Sequence, residues 1–361
     1  MRRLLASLVL SLLLAACGQG EAMGPFSETR TPGNLGPRFF APEAWAWGFI
    51  QTGDKPVQRY GVGSTWRTPR AIVILLPGYG ESAETWFETA RDLTARGYTV
   101  WALERAGQGG SGRYTLPRDL GYVPGFEPDV ANLKALVKVV IKPRPAMPVI
   151  LLGHGDGALV GLRAVQDGLR VDGLILSSLQ LPPGGLSVEA PKTLAGRIGF
   201  GRLPDSGWRP WSRDGGDDRA LGHTHDIWRG AVNKAWQLTN PDLRMSGPSL
   251  GWRTAQARAA RAAERDAIQT PTAVLMLRPT VADSALCKQI AGCQARSLPG
   301  SGTALHLESD RWRAVWLGEV LGFVSDKVEA QRARDVAPVH LQPPVSAPEM
   351  PAATPAPAHA P

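Results

Sequence analysis

Apolar positions fall along this chain in short blocks with two alternating periods. Ala71-Ile-Val-Ile-Leu-Leu76 is an unbroken apolar run closed by Pro77-Gly78, the pattern of a strand buried on both faces. Segments 99–103, 149–152, 171–177 and 272–277 repeat it. Between them the spacing becomes helical. Trp86, Phe87, Ala90 and Leu93 share one face over 83–96, with Gly97 as the stop. Further helices fit 129–140 and a segment beginning near Asp156, and Trp312, Val315, Trp316, Val320, Leu321 and Val324 mark a closing helix. This alternation predicts an α/β fold, a mostly parallel sheet with helices on both faces. It lapses over 181–268, where Trp, Gly and Arg gather without a strand. An insertion there lies over the sheet's carboxyl edge, where open α/β sheets bind ligands, and reads as a mainly helical cap.

The ends are different in kind. Arg2 and Arg3 precede an apolar run over 4–14 and the small residues Ala15-Ala16, which describes a signal peptide over 1–16. Sixteen helical residues reach about 24 Å, short of a bilayer span. Leu14-Ala-Ala-Cys17 resembles the bacterial lipobox, whose cysteine becomes the lipidated first residue. That resemblance implies a protein of the bacterial envelope, facing the periplasm and held at the membrane by acyl chains; Gly18 suits the outer membrane. Residues 17–60 read as a tether and N-terminal extension, and the Pro- and Ala-rich stretch 329–361 as a disordered tail. The folded core is then expected over 61–180 and 269–328, with the cap over 181–268.

Composition narrows the classes. Of 361 residues 43% are hydrophobic, which is globular, and the net charge of +8 falls to +6 once Arg2 and Arg3 are removed. No basic block reads as a nucleic-acid site. With Cys17 committed to lipid, Cys287 and Cys293 remain, either bridged in an oxidising compartment or as two buried thiols.

The strand over 149–152 runs into Gly153-His154-Gly155-Asp156-Gly157 and an apolar helix, the strand–turn–helix setting of the nucleophile elbow G-x-S-x-G. The middle position, which should carry the attacking side chain, is Gly155. The chain resembles α/β-hydrolases of the serine aminopeptidase and monoacylglycerol lipase group, most of all bacterial lysophospholipases. Leu75-Leu-Pro-Gly-Tyr-Gly-Glu-Ser82 is similar to that group's oxyanion loop, with Pro77 where His is common, and Ala106-Gly-Gln-Gly-Gly-Ser111 to its R-G-Q-G-x-S turn. Leu151-Leu-Gly-His-Gly-Asp-Gly157 is similar to L-x-G-H-S-M-G. Thr224-His-Asp226 and Ser246-Gly-Pro-Ser-Leu-Gly-Trp252 resemble its cap motifs.

By the same resemblance the nucleophile falls on Gly155, the base on Thr303 in Gly300-Ser-Gly-Thr303, and the acid in a shortened turn whose nearest carboxylate is Asp283. All three triad positions are expected to be empty. Asp156 and His306 are substitutes of low rank for nucleophile and base. Asp156 reads instead as an N-cap whose carboxylate would repel a developing oxyanion, and His306 as a packing residue at the start of the last helix. The oxyanion-loop-like residues are Gly78, Tyr79 and Asp156, with the Asp156 N–H as one donor. His223 and His225 with Asp226 read as structural rather than metal-binding, and no metal or cofactor is expected. The resemblance thus implies an anchored, catalytically degenerate hydrolase relative that binds a lipid or acyl ligand or a protein partner. The alternative is an active carboxylic-ester hydrolase on lysophospholipids or monoacylglycerols that uses relocated residues.

Overall fold

Strands β1 (Ala46–Ile50), β2 (Gln58–Gly63), β3 (Ala71–Leu76), β4 (Tyr98–Leu103), β5 (Val149–His154), β6 (Gly173–Ser177), β7 (Val274–Arg278) and β8 (Gln294–Ser297) form one sheet. Their order is β1-β2-β4-β3-β5-β6-β7-β8. The first two pairings are antiparallel and the rest parallel. This is the expected α/β-hydrolase sheet. The computed structural model describes residues 24–179, 181, 200–206, 208–280 and 284–336. The expected signal peptide, Cys17, Asp283 and most of the expected tail lie outside the described residues. No helix among the described residues is long and apolar enough to cross a membrane.

The continuous apolar runs divide between two cores because side chains alternate along a strand. In β3, Ile72, Ile74 and Leu76 join the core beneath helices α2 (Glu127–Ala135), α3 (Asp156–Gln166) and α6 (Leu250–Arg265). Ala71, Val73 and Leu75 join the opposite core, with Trp86 and with Trp316 of the closing helix. The expected helix over 83–96 opens as a 3₁₀ turn, Ala83–Trp86, before α1 (Phe87–Ala95). The one expected over 129–140 passes from α2 into a wider π turn, Leu136–Ile141. Among the described residues of the insertion there is no strand, only α4 (Ile227–Gly230), α5 (Val232–Thr239), α6 and short 3₁₀ turns. After β7 come α7 (Ala285–Gln289), β8 and the closing helix α8 (Asp310–Val336).

Two expected boundaries are corrected. The stretch 17–60 is not a tether throughout: β1 and the first half of β2 precede residue 61 and edge the sheet, and Phe39 packs with Phe87 and Trp236. The tail does not begin at 329, because α8 continues to Val336. Cys287 and Cys293 are bridged, with Cα atoms 5.4 Å apart. A continuous helix would have separated them, but α7 ends at Gln289 and the chain turns back.

Arg59 of β2 ties the sheet to the loops above it. Its guanidinium is fully buried, reaches Glu104 at 2.7 Å and Glu84 at 2.8 Å, and lies 3.9 Å from the Trp47 ring. Glu104 also accepts the N–H groups of Ala83 and Gly110, at 2.8 Å each. Burial would disfavour the cation, but Glu104 and Glu84 outweigh it and raise the Arg59 pKa. Breaking a buried pair strands the other charge at a cost of about 3–5 kcal/mol. Arg59→Ala is therefore expected to lower unfolding stability by about that amount, read as a reduced urea midpoint; an unchanged midpoint would show that the node contributes nothing.

Candidate functional site

Strand β5 enters α3 through a turn that tolerates only small flanks. A Cβ on Gly153 would stand 2.5 Å from Ala158 Cα, and one on Gly157 would stand 2.1 Å from Leu76 O. The apex, Gly155, has φ +51° and ψ −118°, and a Cβ there would meet no atom within 4 Å. The elbow therefore keeps its sharp left-handed apex and the space for a side chain, with no side chain in it. The backbone N–H groups of Asp156 and Tyr79 donate to no protein acceptor among the described residues. The Gly78 N–H, by contrast, is taken by Glu81 Oε2 at 2.7 Å.

Asp156 does not cap the helix. Gly155 is the N-cap, and the Asp156 carboxylate turns to the cap instead, accepting from Trp252 Nε1 at 2.7 Å and Gln256 Nε2 at 2.6 Å. Arg105 lies 3.6 Å away, so this charge is answered locally rather than directed at an oxyanion. A carboxylate held this way is not a nucleophile. Trp252 in turn packs edge-on against Tyr79, whose hydroxyl donates to Ser246 O at 2.8 Å. The Ser249 side chain caps α6, so the cap motif 246–252 fastens cap to elbow.

Beneath the elbow lies a buried cluster. Glu81 Oε1 is 2.7 Å from His154 Nδ1 and 3.5 Å from His306 Nε2, while Oε2 takes the Gly78 N–H and the Trp86 indole. His154 Nε2 faces Thr303 O at 3.1 Å. His306 is not on the last helix: it sits in a 3₁₀ turn, Leu305–Leu307, stacked on Trp86 at 3.9 Å and fully buried. Among the described residues these three form the one group of ligand-type side chains, with their atoms within 4.8 Å of one another. The Glu81 oxygens are already engaged, so the cluster braces the loop, the elbow and the 303–306 segment. Burial alone would raise the Glu81 carboxyl, but the facing His154 charge and hydrogen bonds from His154 and Gly78 hold it well below the usual range. His154 is raised in return, because Glu81 outweighs its own burial. Burial pushes His306 down to about 3, the His154 charge adding to it against the pull of Glu81.

A cavity of about 720 Å³ opens above Gly155, between the oxyanion loop, the elbow and the cap, with Thr303 on its wall. Its wall carries Arg209, Asp217, Asp218, His223, Lys234 and Arg253 together with Tyr79, Trp211 and Met245, so it is more polar than a channel for an acyl chain alone. The motif Thr224-His-Asp226 is structural. Thr224 Oγ1 donates to Leu307 O, His225 Nδ1 meets Glu308 at 2.6 Å, and Asp226 caps α4. Arg229 closes the joint, bound to Glu88, Asp226 and Asp310 at 2.7–3.1 Å. Ser111 is engaged by the Arg59 N–H and Ser177 by the Trp316 indole. Two groupings carry no motif and are not read from the sequence: Glu81 with His154 and His306, and Asp218 with His223.

The family model described as serine aminopeptidase, S33, matches residues 67–276, more than half of the chain. Lysophospholipase L2 of Escherichia coli strain K12 is 29% identical over 191 residues, 50% of this chain and 54% of that protein. The chain thus spans about half the length of this relative. Monoacylglycerol lipase of Mycolicibacterium smegmatis is 33% identical over 99 residues, 27% of this chain and 33% of that one. A solved soluble variant of monoglyceride lipase from Saccharomyces cerevisiae shares the fold with a TM-score of 0.62 at 16% identity, covering 82% of this chain and 99% of that one.

Two outcomes follow. Gly155→Ser should fold without a clash but cost about 1–3 kcal/mol, because a side chain at φ > 0 is strained; a stability loss above that range would show that the space is not open. An unfolded histidine titrates near 6.5, so between about 6.5 and 3 the unfolded state binds a proton that folded His306 refuses. That contribution is full above the unfolded value and is lost as pH falls towards the folded one. His306→Phe should therefore flatten the fall of Tm between roughly pH 7 and 4, and an unchanged slope would count against it.

Proposed function

The chain belongs to the serine aminopeptidase S33 family of α/β-hydrolases, and on that premise we propose that it binds a carboxylic ester or the matching carboxylate without the family's acyl-serine chemistry. The observation that carries this reading is Gly155: the apex of the elbow has the geometry for a nucleophile and no atom to attack with. A serine-type site needs nucleophile, base and oxyanion donors together. By the motif resemblance the base position falls on Thr303, and what supports retained donors is that the N–H groups of Tyr79 and Asp156 have no protein acceptor among the described residues. Retained donors favour a carbonyl or carboxylate oxygen in the cleft. Losing a triad nucleophile costs on the order of 10⁶ in turnover in a model protease, which leaves binding as the main property.

The relatives' names, lysophospholipase and monoacylglycerol lipase, suggest the ligand class: a single acyl chain esterified to a polar head. The charged wall of the cavity suits the head, and Tyr79, Trp211 and Met245 suit the first carbons of the chain. Acylation at Cys17 would hold the protein on the outer membrane of the envelope, facing the periplasm, beside such lipids. A protein partner is compatible with the same anchoring.

Mature protein treated with a fluorophosphonate should gain no mass, while titration with a lysophospholipid below its micelle concentration should give saturable binding. A covalent serine adduct, or no saturable binding, would sink this reading. Cys17→Ala should move the protein from the membrane pellet to the soluble fraction, and a wild type already soluble would reject the anchor.

A further inference from the structure

Four histidines fall within the described residues, and their surroundings differ. His154 faces Glu81 with one ring nitrogen and Thr303 O with the other. His225 faces Glu308, and His306 is stacked and fully buried away from the cavity. His223 alone is half-exposed on the cavity wall with its Nδ1 towards a carboxylate, Asp218 Oδ1 at 3.5 Å. Nδ1 against a carboxylate, on a ring at the cavity wall, is the arrangement of a general base held by an acid, with Nε2 as the working nitrogen. Such contacts are commonly loose before substrate binds.

The position of this pair gives it meaning. His223 O accepts the Ala304 N–H at 2.8 Å, and a Cβ on Gly302 would stand 2.2 Å from the same oxygen. The cap therefore sets His223 against residues 302–304, around Thr303, the position the motif resemblance gives to the base. Thr303 O in turn contacts His154, the neighbour of Gly155. A hydrogen-bonded turn fixes the pair: the His223 N–H donates to Asp218 O at 2.8 Å, and the Asp218 N–H to Gly230 O at 3.1 Å. Asp218 is mostly shielded, at 13% side-chain exposure. Burial, with Glu81 and Asp217 nearby, raises its pKa against the pull of His223.

We propose that His223, positioned by Asp218, is a general base that activates water for hydrolysis of an ester bound in this cleft. The space where a Gly155 side chain would stand has room for that water. The water oxygen bonds to the ester carbonyl carbon as its proton passes to His223 Nε2. The former carbonyl oxygen takes the negative charge, facing the Tyr79 and Asp156 N–H groups. As the tetrahedral species collapses, the bond to the alkoxy oxygen breaks and that oxygen takes the proton back from His223. The carboxylic acid then ionises into solvent. The substrate class is a carboxylic ester with a good leaving group. The proposal rests on the reading that an ester or carboxylate occupies the cleft.

The test uses mature protein, 4-nitrophenyl butyrate as substrate and butyrate as the bound product, with unfolding midpoints recorded for each variant. Wild type should turn over slowly and be indifferent to fluorophosphonate. His223→Gln should lower kcat/KM by about 10²-fold, the low end of what a general base contributes, with butyrate affinity unchanged. Asp218→Asn should lower kcat with KM unchanged, and added imidazole should restore His223→Ala. Equal rates for wild type and His223→Gln, with butyrate still bound, would overturn the proposal and leave the binding reading standing. Absence of butyrate binding would overturn both, and fluorophosphonate-sensitive turnover would assign the chemistry to a serine instead.

Discussion

A carboxylate removed from water has to be met at short range by donors or positive charge, and at Glu81 that requirement organises the site. One oxygen takes the Gly78 N–H and the Trp86 indole, which fixes the oxyanion loop against the first helical turn. The other faces His154, at the entrance to the elbow, with His306 close behind. Three distant parts of the chain are thus held by one buried side chain, and none of these contacts involves the apex. The elbow can lose its attacking group and keep its shape, because its geometry is set from below. The same division holds above it, where Asp156 joins the elbow to Trp252 and Gln256 of the cap, and Arg229 joins the cap to α1 and α8.

Much of this was legible from pattern. The runs at 71–76 and 149–152 announce strands because burial on both faces demands unbroken apolarity. The elbow was legible because only small residues fit at Gly153 and Gly157. β1 and β2 were missed because aromatic, glycine and arginine residues break their alternation, and Arg59 is tolerable in a buried strand only beside Glu84 and Glu104, 25 and 45 residues away. β8 was missed because all four of its residues are exposed, so no hydrophobic signal exists. Asp156 was misread as a cap because its true partners lie about 100 residues on. Asp218 and His223 carry no motif; the cap's path over the sheet brings them to the cleft.

The cavity joins these levels. Its floor is family architecture, with two oxyanion-type donors and a vacant apex, and its wall belongs to the cap, with charges of both signs. On the proposed reading, a fold that presents a carbonyl oxygen to fixed donors keeps a recognition function without acyl-serine chemistry. What the bound molecule then undergoes falls, on that reading, to the groups the cap brings to the wall.

The left-handed apex has a consequence in genetic terms. Glycine and serine have codons that differ at a single base, so the attacking hydroxyl lies one mutational step away from a turn that still has the space for it. Glycine also spares the strain that a side chain bears at φ +51°. That step would exchange about 1–3 kcal/mol of stability for a hydroxyl. The apex is therefore a position where the two directions of a single base change are unequal, glycine being favoured by the backbone.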